Sequence, residues 1–117
     1  MATNLPLVGR YLDHLTVERG LSEHTIAAYR RDLSRYAEYL AERGIADPRD
    51  AETEDVEQYV VWLRQQQSAD GQPYAASSVA RMVVAVRGLH RFLAREGLSD
   101  HDVAAEVATP TASRPLP

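Results

Sequence analysis

Apolar side chains recur three and four residues apart in four separate stretches of the chain. This spacing places them on one face of an α-helix, and no stretch alternates apolar and polar residues for long enough to predict a β-strand. The four stretches predict helices near residues 5 to 19, 23 to 43, 54 to 67 and 77 to 96. The side chains predicted to face the core are Leu5, Val8, Leu12 and Leu15, then Ile26, Tyr29, Leu33, Tyr36 and Leu40, then Val56, Tyr59, Val60 and Leu63, and finally Met82, Val86, Leu89 and Leu93.

The ends of three of these helices are marked by the same short pattern. A charged residue, a glycine and a branched aliphatic follow one another at Arg19-Gly20-Leu21, Arg43-Gly44-Ile45 and Glu96-Gly97-Leu98. Glycine readily takes the left-handed conformation that ends a helix, and the next apolar side chain then folds back on the last turn. The pattern therefore predicts helix ends next to all three glycines.

The helix starts are indicated by residues that cap free backbone N–H groups. The predicted N-caps are Asn4, Ser22, Thr53, and Ser77 or a residue just before it. Leu21 and Ile26 flank Ser22 at the positions of a hydrophobic staple. A short fifth helix is predicted near residues 100 to 107, after the possible caps at Ser99 and Asp100.

These elements predict an all-α fold, a four-helix bundle with a short fifth helix. A chain of 117 residues provides one domain with a small core. We assign that domain to residues 1 to 108. Residues 109 to 117 contain three prolines and have no helical periodicity, so they are predicted to be an extended linker to a C-terminal domain that this sequence lacks.

Composition narrows the possible functions. The chain has no cysteine, which excludes disulfides, thiolate metal sites and thiol nucleophiles, and no apolar run is long enough to cross a membrane. We therefore expect a cytoplasmic protein. All thirteen basic residues are arginine, a side chain that binds phosphate or a guanine edge through two parallel hydrogen bonds. The net charge is -4, yet residues 47 to 70 sum to -5 and residues 77 to 96 to +3, so the charge is strongly polarised.

The fourth predicted helix has a basic face opposite its apolar face. Its members are Ser77, Arg81, Arg87, Arg91 and Arg95, with the small residues Val84 and Gly88 among them. A solvated polar face is the simpler interpretation, but such faces usually mix acids with arginines, and none precedes Glu96 here. Small residues at these positions are expected to let a partner approach the helix backbone.

The second predicted helix repeats this arrangement in its first half. His24, Ala28, Arg31 and Arg35 follow one line of the helix, and Glu38 and Glu42 then continue that line with negative charge. The first turns of a helix also carry the positive end of its dipole and free N–H groups, which favour phosphate. Together the two helix starts indicate a surface for the phosphates and the major groove of DNA.

Three stretches carry a resemblance to a known family. Ser22-Glu23-His24-Thr25 precedes Tyr29-Arg30-Arg31-Asp32-Leu33, and the fourth predicted helix contains Val86-Arg87-Gly88-Leu89-His90-Arg91-Phe92. In this order and spacing the chain resembles the N-terminal core-binding domain of tyrosine site-specific recombinases. It is most similar to the Xer group, and within it to the XerD branch more than to the XerC branch. The resemblance covers nearly the whole chain.

The resemblance implies a SAM-like bundle that forms half of a clamp around DNA, with its second and fourth helices in the major groove. Taken with the two arginine faces, it implies DNA contacts at His24, Thr25, Ala28, Arg31, Arg35, Ser77, Ser78, Arg81, Arg87 and Arg91. The implied partners are double-stranded DNA at a recombination site and further recombinase subunits, XerC-like, in a tetrameric complex. The implied role of the parent protein is to cut and rejoin DNA so that chromosome dimers are resolved at cell division.

No catalytic set is predicted in this chain. The family's catalytic groups, including a lysine and a nucleophilic tyrosine, belong to a second domain, and this sequence contains no lysine. Its six tyrosines are expected to pack in or beside the core, apart from Tyr74 in a loop. The histidines lack metal-ligand spacing, so neither a metal nor a cofactor is predicted. A second hypothesis remains open: a helical interaction domain whose arginine face docks on an acidic protein.

Overall fold

Four α-helices form the fold in a computed structural model that describes residues 5 to 66 and 71 to 109. They are α1 (Leu5–Glu18), α2 (Glu23–Glu42), α3 (Thr53–Arg64) and α4 (Ala76–Arg95). The predicted all-α bundle is confirmed, with helix bounds that differ from the predicted ones by at most three residues. Residue 67, the predicted end of α3, lies outside the described part of the chain, as do Asn4 and the side chain of Leu5.

The apolar faces meet in one core to which every helix contributes. Leu12, Leu33, Tyr59 and Leu89 are among the side chains with almost no exposed surface. Of the other predicted core residues whose side chains the structure describes, all are buried except Ile26, Tyr29 and Val60, which are partly buried and pack against the core. Helix α2 packs against α1, α3 and α4, so the helix that carries one arginine line also lies at the centre of the bundle.

The predicted helix ends are confirmed by the backbone. Gly20, Gly44 and Gly97 have φ of 63°, 85° and 73°. At Gly44, the following N–H of Ile45 donates to the carbonyl of Leu40 at 2.9 Å, which closes the last turn of α2.

The helix starts are confirmed only in part. The side chain of Ser22 accepts from the N–H of Thr25 at 3.2 Å, as expected for an N-cap. Thr53 is not the cap of α3: it is the first helical residue, Glu52 is the cap, and the carboxylate of Asp55 accepts from the N–H of Glu52 at 2.8 Å. Helix α4 starts at Ala76, one residue earlier than predicted, after Ala75 at the cap position.

The fifth helix predicted at residues 100 to 107 is wrong. These residues form turns, although Val103, Ala104 and Val107 are buried against the core. The carbonyl of Val103 accepts from the hydroxyl of Thr53 at 2.8 Å, and the N–H of Val107 donates to Ala104 at 3.1 Å. The carbonyl of Val103 is thus held by α3, and Val107 bonds three residues back and not four, so no α-helical turn forms here.

A short 3₁₀ helix at Pro48–Asp50, which the sequence analysis did not predict, connects α2 to α3. The side chain of Asp47 caps it by accepting from the N–H of Arg49 at 2.9 Å. Residues 110 to 117 lie outside the described part of the chain, so the predicted linker remains a prediction. None of the described helices is long and apolar enough to cross a membrane.

Candidate nucleic-acid interface

The two helices with arginine faces are joined by an ion pair between Asp32 of α2 and Arg81 of α4. Nε and Nη2 of Arg81 donate to the two carboxylate oxygens of Asp32 at 2.9 and 3.0 Å. The Asp32 side chain is 3% exposed and that of Arg81 is 44% exposed. The hydrogen bonds that Arg81 donates to Asp32 raise the pKa of Arg81 above its ordinary value. Arg81, a predicted DNA contact, therefore has its charge offset within the chain.

Arg35, on the arginine line of α2, contacts the segment that precedes α4. Its Nη1 donates to the hydroxyl of Tyr74, and its guanidinium carbon lies 5.2 Å from the centre of the Tyr74 ring. The side chain is half-buried as a result. Tyr74 thus holds Arg35 against the start of α4 through a hydrogen bond and a cation–π contact.

Arg87, on α4, contacts the chain that follows the helix. Its Nη1 donates to the hydroxyl of Thr109 at 2.7 Å, and its Nη2 donates to the carbonyl of Ala105 at 3.4 Å. These contacts leave the side chain half-buried, and they hold the last described residues against the basic face of α4.

A cleft between α1, α2 and α4 is lined by three arginines and no acid. Its volume is about 170 Å³, and its lining residues are Tyr11, Leu15, Arg19, Leu21, Tyr29, Val84, Arg87, Gly88 and Arg91. Arg91 is exposed, and Val84 is 46% exposed. With only arginine charges at its rim, the cleft attracts anions.

Arg19 was not predicted to belong to the interface. In the sequence it stands only as the charged residue before the glycine that ends α1. The turn at Gly20 and the packing of α1 on α4 bring it to the same cleft as Arg91. Only the packing of two distant segments places these arginines together, so no local sequence signal marks Arg19.

The expectation that Gly88 lets a partner approach the helix is wrong. A Cβ atom at this position would overlap the hydroxyl oxygen of Tyr11 and lie 3.1 Å from its ring Cζ. The close approach is made within the chain, by Tyr11 of α1 packing onto α4. Burial in this contact raises the pKa of Tyr11 to about 12, so its hydroxyl stays protonated.

Arg31 and Arg35 line a different groove from Arg87 and Arg91. This groove has a volume of about 530 Å³ and is lined by Arg30, Arg31, Ser34, Arg35, Glu38, Tyr39, Glu42 and Trp62. Because Glu38 and Glu42 line the same groove, it has mixed charge. Of these two grooves, only the cleft beside α4 is free of acids.

The starts of both helices present small polar side chains. His24 and Ser77 are exposed, whereas Thr25, Ala28 and Ser78 are half-buried. The hydroxyl of Thr25 accepts from Ser22 at 3.1 Å and so takes part in the cap of α2. Helix α4 has no acid in its first turn, and its cap residue, Ala75, has no side-chain acceptor, so no cap side chain competes with a phosphate for its first amides.

Four of the tyrosines and one histidine are packed in the core. Tyr11, Tyr36, Tyr39 and Tyr59 are buried, as predicted. His90 is also buried, with its Nε2 2.7 Å from the hydroxyl of Tyr36. Among residues 5 to 66 and 71 to 109, no group of acids and histidines is arranged to hold a metal ion.

Residues 8–97 match the family described as "Phage integrase, N-terminal SAM-like domain". The match covers most of the chain, which therefore belongs to this family of integrase and recombinase domains. The predicted recombinase-type helical domain is confirmed.

The chain is similar to curated recombinases of the Xer group. It is 51% identical over 108 residues to "Tyrosine recombinase XerD" of Mycobacterium tuberculosis. The matched residues make up 92% of this chain and 35% of the relative. It is 46% identical over 108 residues to XerD of Mycobacterium leprae, covering 92% and 34% of the two chains, and 42% identical over 107 residues to XerC of Pseudomonas putida, again covering 92% and 34%. The predicted similarity to XerD above XerC is confirmed.

The chain spans about a third of the length of the curated relatives it matches. No solved structure matches it.

Proposed function

We propose that this chain is the DNA-binding core domain of a XerD-like tyrosine recombinase and that it binds duplex DNA with α2 and α4. The observation that carries the proposal is the cleft beside α4, where Arg19, Arg87 and Arg91 converge without a carboxylate. The cleft belongs to a domain of the integrase family whose chain is acidic overall. When an acidic protein has its basic residues concentrated on one surface, a polyanion such as DNA is attracted to that surface and repelled by the rest.

The predicted DNA contacts take different parts in this proposal. Arg91 and Arg31 are exposed and serve as contacts to the phosphates, while His24 and Ser77 lie at the open helix starts. Thr25, Ala28 and Ser78 are half-buried and have small side chains, so they let DNA come close to the two helices between these contacts. Arg35 and Arg87, which contact Tyr74 and Thr109, reach DNA only with part of their guanidinium groups. Phosphate contacts supply affinity, and base contacts supply sequence preference.

The parent protein cuts and rejoins DNA at a recombination site and resolves chromosome dimers at cell division in the cytoplasm. It acts with a XerC-like recombinase in a tetrameric complex. The names of the relatives, XerD and XerC, support this proposal. In this proposal the described residues contribute binding, and the chemical step belongs to the second domain that the resemblance implies.

An acidic protein as the partner of the arginine faces is the alternative. Membership of the integrase family disfavours it. A competition experiment separates the two functions. If the surface binds DNA, unlabelled duplex should displace labelled duplex from the chain at a lower concentration of negative charges than a flexible polyacid such as polyglutamate.

Fluorescence anisotropy of a labelled duplex that contains a family-type half-site tests the proposal. The wild-type chain, an Arg31→Glu/Arg91→Glu variant and an Arg64→Glu control are titrated at two salt concentrations. Arg64 is exposed on the last turn of α3, outside both grooves, so the control makes one of the two charge reversals at a different place and changes the net charge by half as much. We expect wild-type binding with a Kd of about 10⁻⁴ to 10⁻⁶ M that weakens as salt rises.

The double variant should lose at least about 10-fold in affinity, since each removed phosphate contact also reduces counterion release. The Arg64 control should lose much less. A loss in log Kd for the control of half the loss for the double variant would show that only overall charge matters, and absence of wild-type binding at low salt would reject the proposal.

A further inference from the structure

The ion pair between Asp32 and Arg81 leaves a defined edge of the guanidinium in solvent. Nε and one N–H of Nη2 donate to the carboxylate. A guanidinium has five N–H donors, so the remaining N–H of Nη2 and both of Nη1 are directed away from Asp32. The burial of Asp32 and the 44% exposure of Arg81 place the pair at the surface with its carboxylate inside.

Such a pair is poorly suited to phosphate and well suited to a base edge. Attraction to phosphate depends on net charge, which the carboxylate offsets. Recognition of guanine depends on two parallel donors that meet O6 and N7, and the free Nη1–Nη2 edge of Arg81 provides them. The carboxylate also holds the guanidinium plane in place, so little side-chain freedom is lost when a base binds.

Arg91 is the contrasting case on the same helix. It is exposed and lines a cleft in which the other charged residues are Arg19 and Arg87, with no carboxylate. Its charge is not offset in that cleft, and no acid fixes its plane there. One helix therefore presents an arginine that is oriented by an acid and another that lines a cleft without a carboxylate.

We infer that Asp32 is a positioning residue that directs Arg81 to read a guanine in the major groove, while the arginines of the cleft bind phosphate. This inference rests on the proposed DNA binding and adds to it a division of labour between arginines of α4. Asp32 acts through Arg81 and does not itself touch DNA.

Selection from a library of randomised duplexes tests this inference. The 117-residue chain is compared with its Asp32→Asn and Arg81→Lys variants, and Arg64→Lys, at an exposed position of α3 outside both grooves, serves as the control. Asp32→Asn keeps the side-chain volume but removes the charge that offsets and orients Arg81. Arg81→Lys keeps the positive charge but loses the fork, and as a change at an exposed side chain it remains informative if the Asp32 variant does not fold.

The wild-type chain and the Arg64→Lys control should enrich guanine at one shared position. Asp32→Asn and Arg81→Lys should each weaken that preference about 10-fold, which lies within the range of one bidentate contact. The affinity of Asp32→Asn for a duplex without the selected site should stay equal or increase, with a steeper dependence on salt, because Arg81 is then an unneutralised cation. A purely structural role for the pair would lower both affinities together.

Two results would overturn the inference. One is an unchanged guanine preference in both Asp32→Asn and Arg81→Lys. The other is a parallel loss of affinity for selected and unselected duplexes in variants that circular dichroism shows to be folded. If the wild-type chain binds duplex and these results are found, the proposed function stands and only the role of Asp32 fails, whereas a wild-type chain that binds no duplex rejects both.

Discussion

The hydroxyl of Tyr36 lies 2.7 Å from Nε2 of His90, and both side chains are buried between α2 and α4. Burial lowers the pKa of His90 to about 4 and raises the pKa of Tyr36 far above its ordinary range. At neutral pH the ring is therefore uncharged, and Nε2 shares one hydrogen bond with the tyrosine hydroxyl. This bond joins the same two helices as the pair of Asp32 and Arg81, so the core and the surface both set how α2 and α4 are placed.

The stability of the protein should fall as the pH is lowered through the range set by His90. In the unfolded chain the histidine has a pKa of about 6.5, so between pH 6.5 and about 4 the unfolded state binds the extra proton. The free energy of unfolding should therefore decrease across this window by about 3 kcal/mol from His90 alone and show no further loss from this group below it.

Urea denaturation at several pH values from 7 to 4 measures this effect. The His90→Gln variant retains an acceptor for Tyr36 and all carboxylates, so its pH dependence supplies the baseline. Equal slopes for the two proteins would show that His90 does not titrate as its burial predicts.

Replacing Tyr36 with phenylalanine should destabilise the fold by about 1 to 3 kcal/mol, because Nε2 of His90 then lacks its partner in the core. The ring contacts of Tyr36 with Tyr59, whose centroid lies 4.9 Å away, should persist. Chemical denaturation of the variant measures the loss. A change below the error of that measurement would mean that another group satisfies His90.

Gly88→Ala should destabilise the protein, although alanine usually favours a helix over glycine by about 1 kcal/mol. The new methyl group would overlap the Tyr11 hydroxyl, and Tyr11 is packed against Phe92 with ring centroids 5.4 Å apart. Displacing this ring should cost about 1 to 3 kcal/mol, the usual range for overpacking.

Thermal denaturation of Gly88→Ala and of Gly88→Ala/Tyr11→Phe tests the cause. Loss of the hydroxyl oxygen should restore part of the stability, since the ring Cζ, 3.1 Å from the added carbon, needs only a small shift. Stabilisation by Gly88→Ala alone would contradict the described packing of α1 on α4.

Thr53→Val should weaken the attachment of the turn at residues 103 to 106. The variant keeps the shape of the side chain but removes the donor to the carbonyl of Val103. We expect a loss of about 1 kcal/mol in the free energy of unfolding. Native-state hydrogen exchange should show faster exchange at Val107, whose N–H closes that turn, while amides in the middle of α2 change only by the overall loss of stability.

The helices of this protein follow from local sequence, and so they could be predicted. The apolar period of α4 and the glycine after it specify a helix and its end within a few residues of the chain. The start of α3 was harder to predict. The side chains of Glu52 and Asp55 each accept from the backbone N–H of the other, and the hydroxyl of Thr53 donates to the carbonyl of Val103 and does not cap the helix. The turn at residues 103 to 106 had a helical pattern, but its backbone is held by a residue 50 positions away.

The sequence by itself determined the four helices and the helix faces that carry arginine, since charge and hydrophobicity at each position depend on residue type and helical period. It also indicated the family, through the resemblance of three stretches in their order and spacing. Only the tertiary structure decided which side chains the arginines contact. Asp32 and Arg81 are 49 residues apart, and Tyr11 covers Gly88 from another helix. Because hydrogen bonds and ion pairs act over a few ångströms, their partners are set by how the helices pack, and packing joins residues that no local pattern relates.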